Sequence, residues 1–333
     1  MPGPRAADAP GSRRVERRTL RLGVSSCLLG ANVRFDGGHK RDRFLTEVLA
    51  SYVEWVPVCP ELEVGMGVPR ESVRLVGEVA APRMVGVRSG ADHTVGMRRF
   101  AAARVRELAA LDLDGYVFKK DSPSCGMERV RVYPDRDATP SRQGRGLFSA
   151  AFMDALPLVP AEEEGRLQDP DIRENFIERI FSYRRWRALV DSQPTRHDLI
   201  AFHTAHKYLL LAHSPRHYGA LGRAVADQAR LRPETAARRY GVLFAEALAV
   251  RATVRKHANV LQHIAGHCRA HLTAAERREL AGVIEDYRRG LLPLIVPITL
   301  LRHHVDHHDV PYVKDQVYLR PHPKELMLRN HHS

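Results

Sequence analysis

The sequence predicts an α/β domain with an open, largely parallel sheet, followed by an all-α domain. Residues 19–156 alternate short β-like apolar runs with helical patterns, the arrangement that builds parallel sheets. Residues 171–333 are patterned at helical spacing almost throughout. Between them, "PLVPAEEEGRLQDP" (157–170) reads as a polar linker, with prolines, three glutamates in a row and a closing Asp-Pro. At 333 residues with 44% hydrophobic content, the chain can fill two cores.

The first 18 residues are basic, rich in Pro and Gly and without an apolar stretch, so they read as a disordered leader. The run "LRLGVSS" then ends at Cys27, and "VEWVPV" ends at Cys59. A third run, "GYVFKK", leads through "DSPS" to Cys125. Helical patterns fill Asp42 to Tyr52 and Asp92 to Leu111, and the strand "RVRVY" and the helix "GRGLFSAAFMDAL" complete the domain. In the second half Thr195 and Thr273 have the position of helix N-caps, and Glu276 completes a capping box with Thr273.

Sites in open α/β sheets gather beyond the carboxyl ends of the strands. Cys27, Cys59 and Cys125 each follow such an end, so distant sequence positions can share one sheet edge. Four cysteines in a chain this long do not make a disulfide framework. Cys268, the fourth, lies in a histidine-rich helical stretch and reads as unrelated. Structural zinc is disfavoured because no close Cys-x-x-Cys pair exists. A nucleophilic cysteine would need a base, and the first 156 residues offer only His39 and His93 as histidines. An iron–sulfur cluster accepts widely spaced thiolates. Three ligands would leave one iron of a 4Fe–4S cluster open as a Lewis acid. Glu61 and Ser122 would flank that position as proton shuttle and hydrogen-bond partner, or serve simply as capping and turn residues.

The net charge of +13 divides into +3 over 1–170 and +10 over 171–333, and 16 of the 18 histidines lie in the second part. A basic half of this kind points to a polyanionic partner, nucleic acid first. No run of about 18 apolar residues exists, which predicts a cytoplasmic chain with no membrane partner.

Four blocks carry a family resemblance: "GVSSCLLG", "RFDGGHK", "VPVCPELEVGMGVPR" and "FKKDSPSCG". In this order they resemble the motifs of the thiouracil desulfidase (TudS) family, over about residues 20–155. The second half, through "FHTAHKYLLLAHSPRHYGALG", "KHANVLQHIAGH" and "YLRPHPKELMLRNH", is similar to the helical YbgA-like domain. The two-domain arrangement is similar to that of desulfidases acting on 4-thiouridine in tRNA. The resemblance implies a 4Fe–4S cluster held by Cys27, Cys59 and Cys125, with one open iron. It implies Glu61 and Ser122 as the catalytic pair and a non-redox conversion of 4-thiouridine in tRNA to uridine and sulfide. It also implies an RNA-binding role for the helical domain. Free thiouracil or thiouridine as substrate, a non-catalytic RNA-binding iron–sulfur sensor, and a metal-free cysteine hydrolase are the competing readings.

Several histidine groups look metal-like but have plainer explanations. His303 and His307, and His304 and His308, are spaced i,i+4 beside Asp306, yet match no fixed metal motif. His263, His267 and His271 form a similar stripe, read as a polar helix face. His203 and His206 lie in a resembling block and are read as RNA-contacting or structural.

Overall fold

The computed structural model describes residues 19–134, 139–227 and 232–331; the leader expected over 1–18 lies outside them. The chain divides into two compact units between Ala155 and Leu156.

The first unit holds β1 (Leu20–Ser25), β2 (Val53–Val58), the short helix α1 (Pro60–Glu63), β3 (Val73–Val76), β4 (Arg83–Gly86) and α2 (Thr94–Ala110). It continues through β5 (Gly115–Phe118), β6 (Val130–Tyr133), β7 (Ser141–Gly144) and α3 (Leu147–Ala155). The expected parallel sheet is present, with β1 between β2 and β5 and parallel to both. All four residues of β5 are buried and Leu22 and Val24 of β1 are fully enclosed, as a strand covered on both faces requires. The stretch Asp42 to Tyr52 departs from a regular α-helix: a π-type turn over Phe44–Val48 passes into a 3₁₀ turn over Leu49–Tyr52.

A second sheet, in the order β4-β3-β6-β7, goes beyond the sequence reading. Its β3 pairs antiparallel with β4 and parallel with β6, and β6 pairs antiparallel with β7. The "RVRVY" strand therefore belongs here, not beside β5. Tyr116 stacks on Phe118 at 4.1 Å, and Phe148 and Phe152 of α3 pack against both. Gly23 makes room for that cluster: a Cβ there would stand 2.2 Å from the Tyr116 ring.

The polar connection is more structured than an open linker. It carries β8 (Ala161–Glu163) and a 3₁₀ turn over Arg166–Gln168. Glu162, Glu163 and Glu164 are all buried. Burial of a carboxylate requires a partner, and Glu162 has one in Arg166, 2.6 Å away.

The second unit is helical, as expected: α4 (Pro170–Asp191), α5 (Arg196–His213), α6 (Pro215–Ala226), α7 (Pro233–Ala249), α8 (Val254–Cys268), α9 (Ala274–Arg288), α10 (Ile295–His307) and α11 (Pro311–Lys314). Among the described residues no helix is long and apolar enough to cross a membrane. Trp186, Phe202, Tyr240 and Phe244 form an aromatic centre within one continuous core. The C-terminal turn is tied to α4 through Arg329, which donates to Glu174 (3.1 Å), to Glu178 (2.5 Å) and to the Tyr318 carbonyl (2.8 Å). Both expected N-caps are present, and each closes a capping box, Thr195 with Asp198 and Thr273 with Glu276.

The Thr273 box satisfies orphan amides at both of its ends. Thr273→Ala should therefore destabilise the helical unit by about 1 kcal/mol. Buried Trp186 reports on this: in a Trp55→Phe background, its fluorescence should show a lower urea midpoint with unchanged slope.

Candidate active site

The register of the parallel sheet brings the cysteines together. Ser25 pairs with Val58 across β1 and β2, and Val24 with Val117 across β1 and β5. The three strands thus end at one level. Cys27 follows in a tight turn over Ser26–Leu29, closed by Gly30 at φ 94°. Cys59 is the N-cap of α1, where Pro60 presets the first helical φ.

Cys125 is reached by a longer loop, which is held at several points. The Lys119 amide donates to Ser25 Oγ (3.0 Å), the Cys125 amide to Ser122 Oγ (3.1 Å) and the Gly126 amide to the Ser122 carbonyl (2.8 Å). Only glycine fits at 126, where a Cβ would meet Val130 Cγ2 at 2.3 Å and the Ser122 carbonyl oxygen at 2.8 Å.

Cys27, Cys59 and Cys125 line one cavity of about 400 Å³, together with Glu61 and Ser122. All five sequence-predicted site residues therefore meet. Burial pushes the Cys59 thiol up, with the Glu61 charge adding to the effect. Burial also pushes the Cys125 thiol strongly up; a hydrogen bond from Ser25 opposes this, while Glu61, Cys27 and Cys59 reinforce it.

Among the described residues, no three His, Cys, Asp or Glu side chains gather tightly enough to hold a single metal ion. A cubane cluster spreads its ligands over separate irons, so three thiols around a cavity suit the wider group. Iron binding also displaces thiol protons, offsetting the cost that burial places on the thiolates. The cavity lining adds compensating charge, with Arg34, Lys40, Arg70, Lys119 and Lys120 against Glu61 and Asp121.

Two participants were not singled out from sequence. Arg70 grips Glu61 Oε2 through Nε (3.1 Å) and its terminal nitrogen (2.5 Å), a two-pronged pair with both side chains largely buried. Ser124 donates to Glu61 Oε1 at 2.5 Å and lies 3.0 Å from Ser122 Oγ. A serine has one hydroxyl proton. With that of Ser124 committed to Glu61, the Ser122 hydroxyl is the donor between the two serines. A directed chain runs Ser122, Ser124, Glu61. Both missed residues stood inside the quoted blocks, Arg70 closing "VPVCPELEVGMGVPR" and Ser124 within "DSPSCG".

The histidine groups take different roles. His206 is buried, its ring stacked on Phe202 at 4.0 Å and its Nδ1 2.8 Å from the Phe202 carbonyl, and burial pushes its pKa down to about 3. His267 Nε2 lies 2.9 Å from the Tyr208 hydroxyl. At the C-terminal end of α10 the rings of His303 and His307, and of His304 and the capping His308, stack on each other. Cys268 is part of the helical core.

Removing one partner of a largely buried pair strands the other charge. Arg70→Met should therefore cost about 3 kcal/mol of stability, with Arg70→Lys restoring only part of it. Chemical denaturation of the three proteins gives the ranking.

Comparison with known proteins follows the division into two units. Residues 22–164 match the family model of 2-thiouracil desulfurase, and residues 207–323 match that of a protein family of unknown function, DUF1722. The uncharacterized protein YbgA of Escherichia coli (strain K12) is 32% identical over 153 residues, covering 46% of this chain and 90% of the relative. The solved structure of a [4Fe-4S]-dependent thiouracil desulfidase, TudS, is 28% identical, with 45% of this chain and 95% of that chain covered and a TM-score of 0.37. The chain belongs to the YbgA family, with a 2-thiouracil desulfurase domain joined ahead of the DUF1722 region.

Proposed function

We propose that the chain is an iron–sulfur-dependent desulfidase that converts 4-thiouridine in tRNA to uridine and releases sulfide. The observation that carries this reading is the meeting of Cys27, Cys59 and Cys125 at the cavity that also holds the Ser122–Ser124–Glu61 chain. The match to the 2-thiouracil desulfurase family supports the reaction class, because thiouracil and 4-thiouridine share a ring thiocarbonyl. The reaction balances without an oxidant or reductant: thiocarbonyl and water give carbonyl and hydrogen sulfide.

Three thiolates would hold a 4Fe–4S cluster and leave one iron without a protein ligand. When bound, the cluster supplies a thiophilic Lewis acid for the thiocarbonyl sulfur. The chain's own residues handle the protons. Glu61, held in place by Arg70, takes a proton from the attacking water through Ser124 and Ser122 and returns it toward the departing sulfur. Ser122 stands at the cavity end of this relay and positions the water or the base.

The charge of the helical half supports RNA over a free base. A net +10 over residues 171–333 suits a phosphate backbone, whose contacts give affinity and orientation. A thiobase within tRNA must leave its stack to enter the cavity.

The test uses cluster-loaded protein, without oxygen, on tRNA containing 4-thiouridine. The thiocarbonyl absorbance should fall as sulfide appears, and metal-free protein should do neither. Glu61→Gln should lower kcat by about 100-fold or more with the cluster absorbance intact. Faster turnover of free thiouracil or the nucleoside than of tRNA would reassign the substrate. An unchanged thiocarbonyl band with a full cluster would leave an RNA-binding sensor.

Ser124→Ala should break the relay without touching the cysteines. Its expected effect is a fall in kcat of about 10²-fold at unchanged KM. Steady-state kinetics against Ser122→Ala would show whether the two serines act as one unit, since losses within a unit are not additive.

A further inference from the structure

Arg74 of β3, Arg131 of β6 and Arg142 of β7 line one groove of about 440 Å³, and all three are exposed. The two-residue period of a strand puts them there. Leu75, Val130 and Val132 are buried in the core with Met84, Met97 and Leu147, so Arg74 and Arg131 take the opposite face of the sheet. The register sets Leu75 beside Val132, and one step back along both parallel strands Arg74 stands beside Arg131. Across β6 and β7, Val130 pairs with Gly144 and Val132 with Ser141, which leaves Arg142 and Gln143 opposite the single Arg131. Such a bulge re-aims side chains.

The three charges are left side by side. Like charges on neighbouring strands repel. Among the described residues no ion pair neutralises any of them, and the groove lining offers one carboxylate, Asp121. The Arg74 guanidinium lies 5.1 Å from the Tyr133 ring centroid, a contact that steadies it without cancelling its charge. Charged side chains also guard exposed sheet edges against stray pairing. That role suits Arg142 on the outer strand β7, but β3 and β6 are interior strands.

The groove runs into the cysteine-lined cavity, since Ser72, Val73, Asp121 and Pro123 line both. Resting on the desulfidase reading, we infer that the arginine row is a phosphate track, holding the RNA strand that flanks the thiobase. Neighbouring strands lie about 4.8 Å apart, so three guanidinium groups cover about 10 Å. A stacked nucleic-acid strand places about three phosphates in that length. The planar fork of arginine suits phosphate oxygens, and such contacts position a strand without reading its sequence. RNA binding is then shared by the α/β unit and not left to the helical half alone.

The test is filter binding of tRNA containing 4-thiouridine to the cluster-loaded, full-length chain over a range of salt. The Arg74→Gln, Arg131→Gln, Arg142→Gln triple variant should bind about 10-fold or more weakly, with a log–log salt slope shallower by about 2. Arg74→Lys, Arg131→Lys, Arg142→Lys keeps the charge and should keep the slope. Arg99→Gln with Arg106→Gln removes exposed charge from α2, outside the groove, and should leave the slope as it is. In turnover, the glutamine triple variant should raise KM for tRNA by about 10-fold and leave kcat/KM for the 4-thiouridine nucleoside unchanged. Unchanged tRNA binding by that variant, or a comparable loss per charge in the α2 variant, would overturn the inference. So would polyglutamate competing as well as tRNA, which would assign the groove to an acidic peptide. Circular dichroism of each variant separates a lost fold from lost contacts. Groove-dependent tRNA binding without desulfidation would sink the desulfidase reading and keep the track. Desulfidation of tRNA at unchanged KM and slope in the glutamine triple variant would do the reverse.

Discussion

The parallel register of β2, β1 and β5 is the constraint on which the site depends. Pairing Ser25 with Val58 and Val24 with Val117 makes three strands end together. A slip of one residue would send every side chain to the opposite face. The buried Leu22, Val24 and Val58 exclude such a slip, because each would carry its side chain out of the core. The same apolar burial that stabilises the sheet therefore fixes where Cys27 and Cys59 emerge, and nothing at the site has to hold them against the fold.

Around that edge, Arg70 does for the polar groups what the sheet does for the cysteines. Its side chain is 6% exposed, and it joins Glu61, the Val33 carbonyl and the Gly67 carbonyl. A carboxylate buried without such a partner would protonate and could no longer serve as a base. Arg70 supplies that partner at one oxygen of Glu61, and Ser124 occupies the other. Glu61 thereby reaches the cavity through a serine chain instead of standing bare within it. A base at one remove is held in a fixed direction and shielded from bulk water.

Much of this was legible in the sequence, for a local reason. A strand that ends in a cysteine is visible along the chain, and the alternation of strand and helix supplies the shared edge. Thr195 and Thr273 were legible because a cap and its box span only four residues. The grip of Arg70 on Glu61, nine positions away along an irregular loop, was not, and the hand-off from Ser124 to Glu61 depends on how two loops meet across 63 positions. The second sheet was hidden by short strands: "SRQG" of β7 carries no hydrophobic period at all. The glutamate run at 162–164 misled in the opposite direction, because acidic composition signals exposure unless a partner such as Arg166 is known to be in reach.

Two of the buried ionic groups among the described residues show what separates a structural cluster from a working one. In the helical unit Arg329 spends its donors on Glu174, Glu178 and Tyr318, and His213 lies 3.0 Å from the second oxygen of Glu178. Burial and the Glu178 charge raise the Glu174 carboxyl. For Glu178, burial is outweighed by Arg329 and His213, and its carboxyl falls. Both oxygens of Glu178 are engaged, and the C-terminal turn is fastened to α4. In the α/β unit the arginine engages only one oxygen of Glu61, and the other passes its hydrogen bond outward through two hydroxyls to the cysteine-lined cavity. Closure of all the acceptor sites makes a fastening; one oxygen left to a movable proton makes a relay. This difference, and not burial or charge alone, is why the proposed chemistry is placed on Glu61 while Glu178 belongs to the fold.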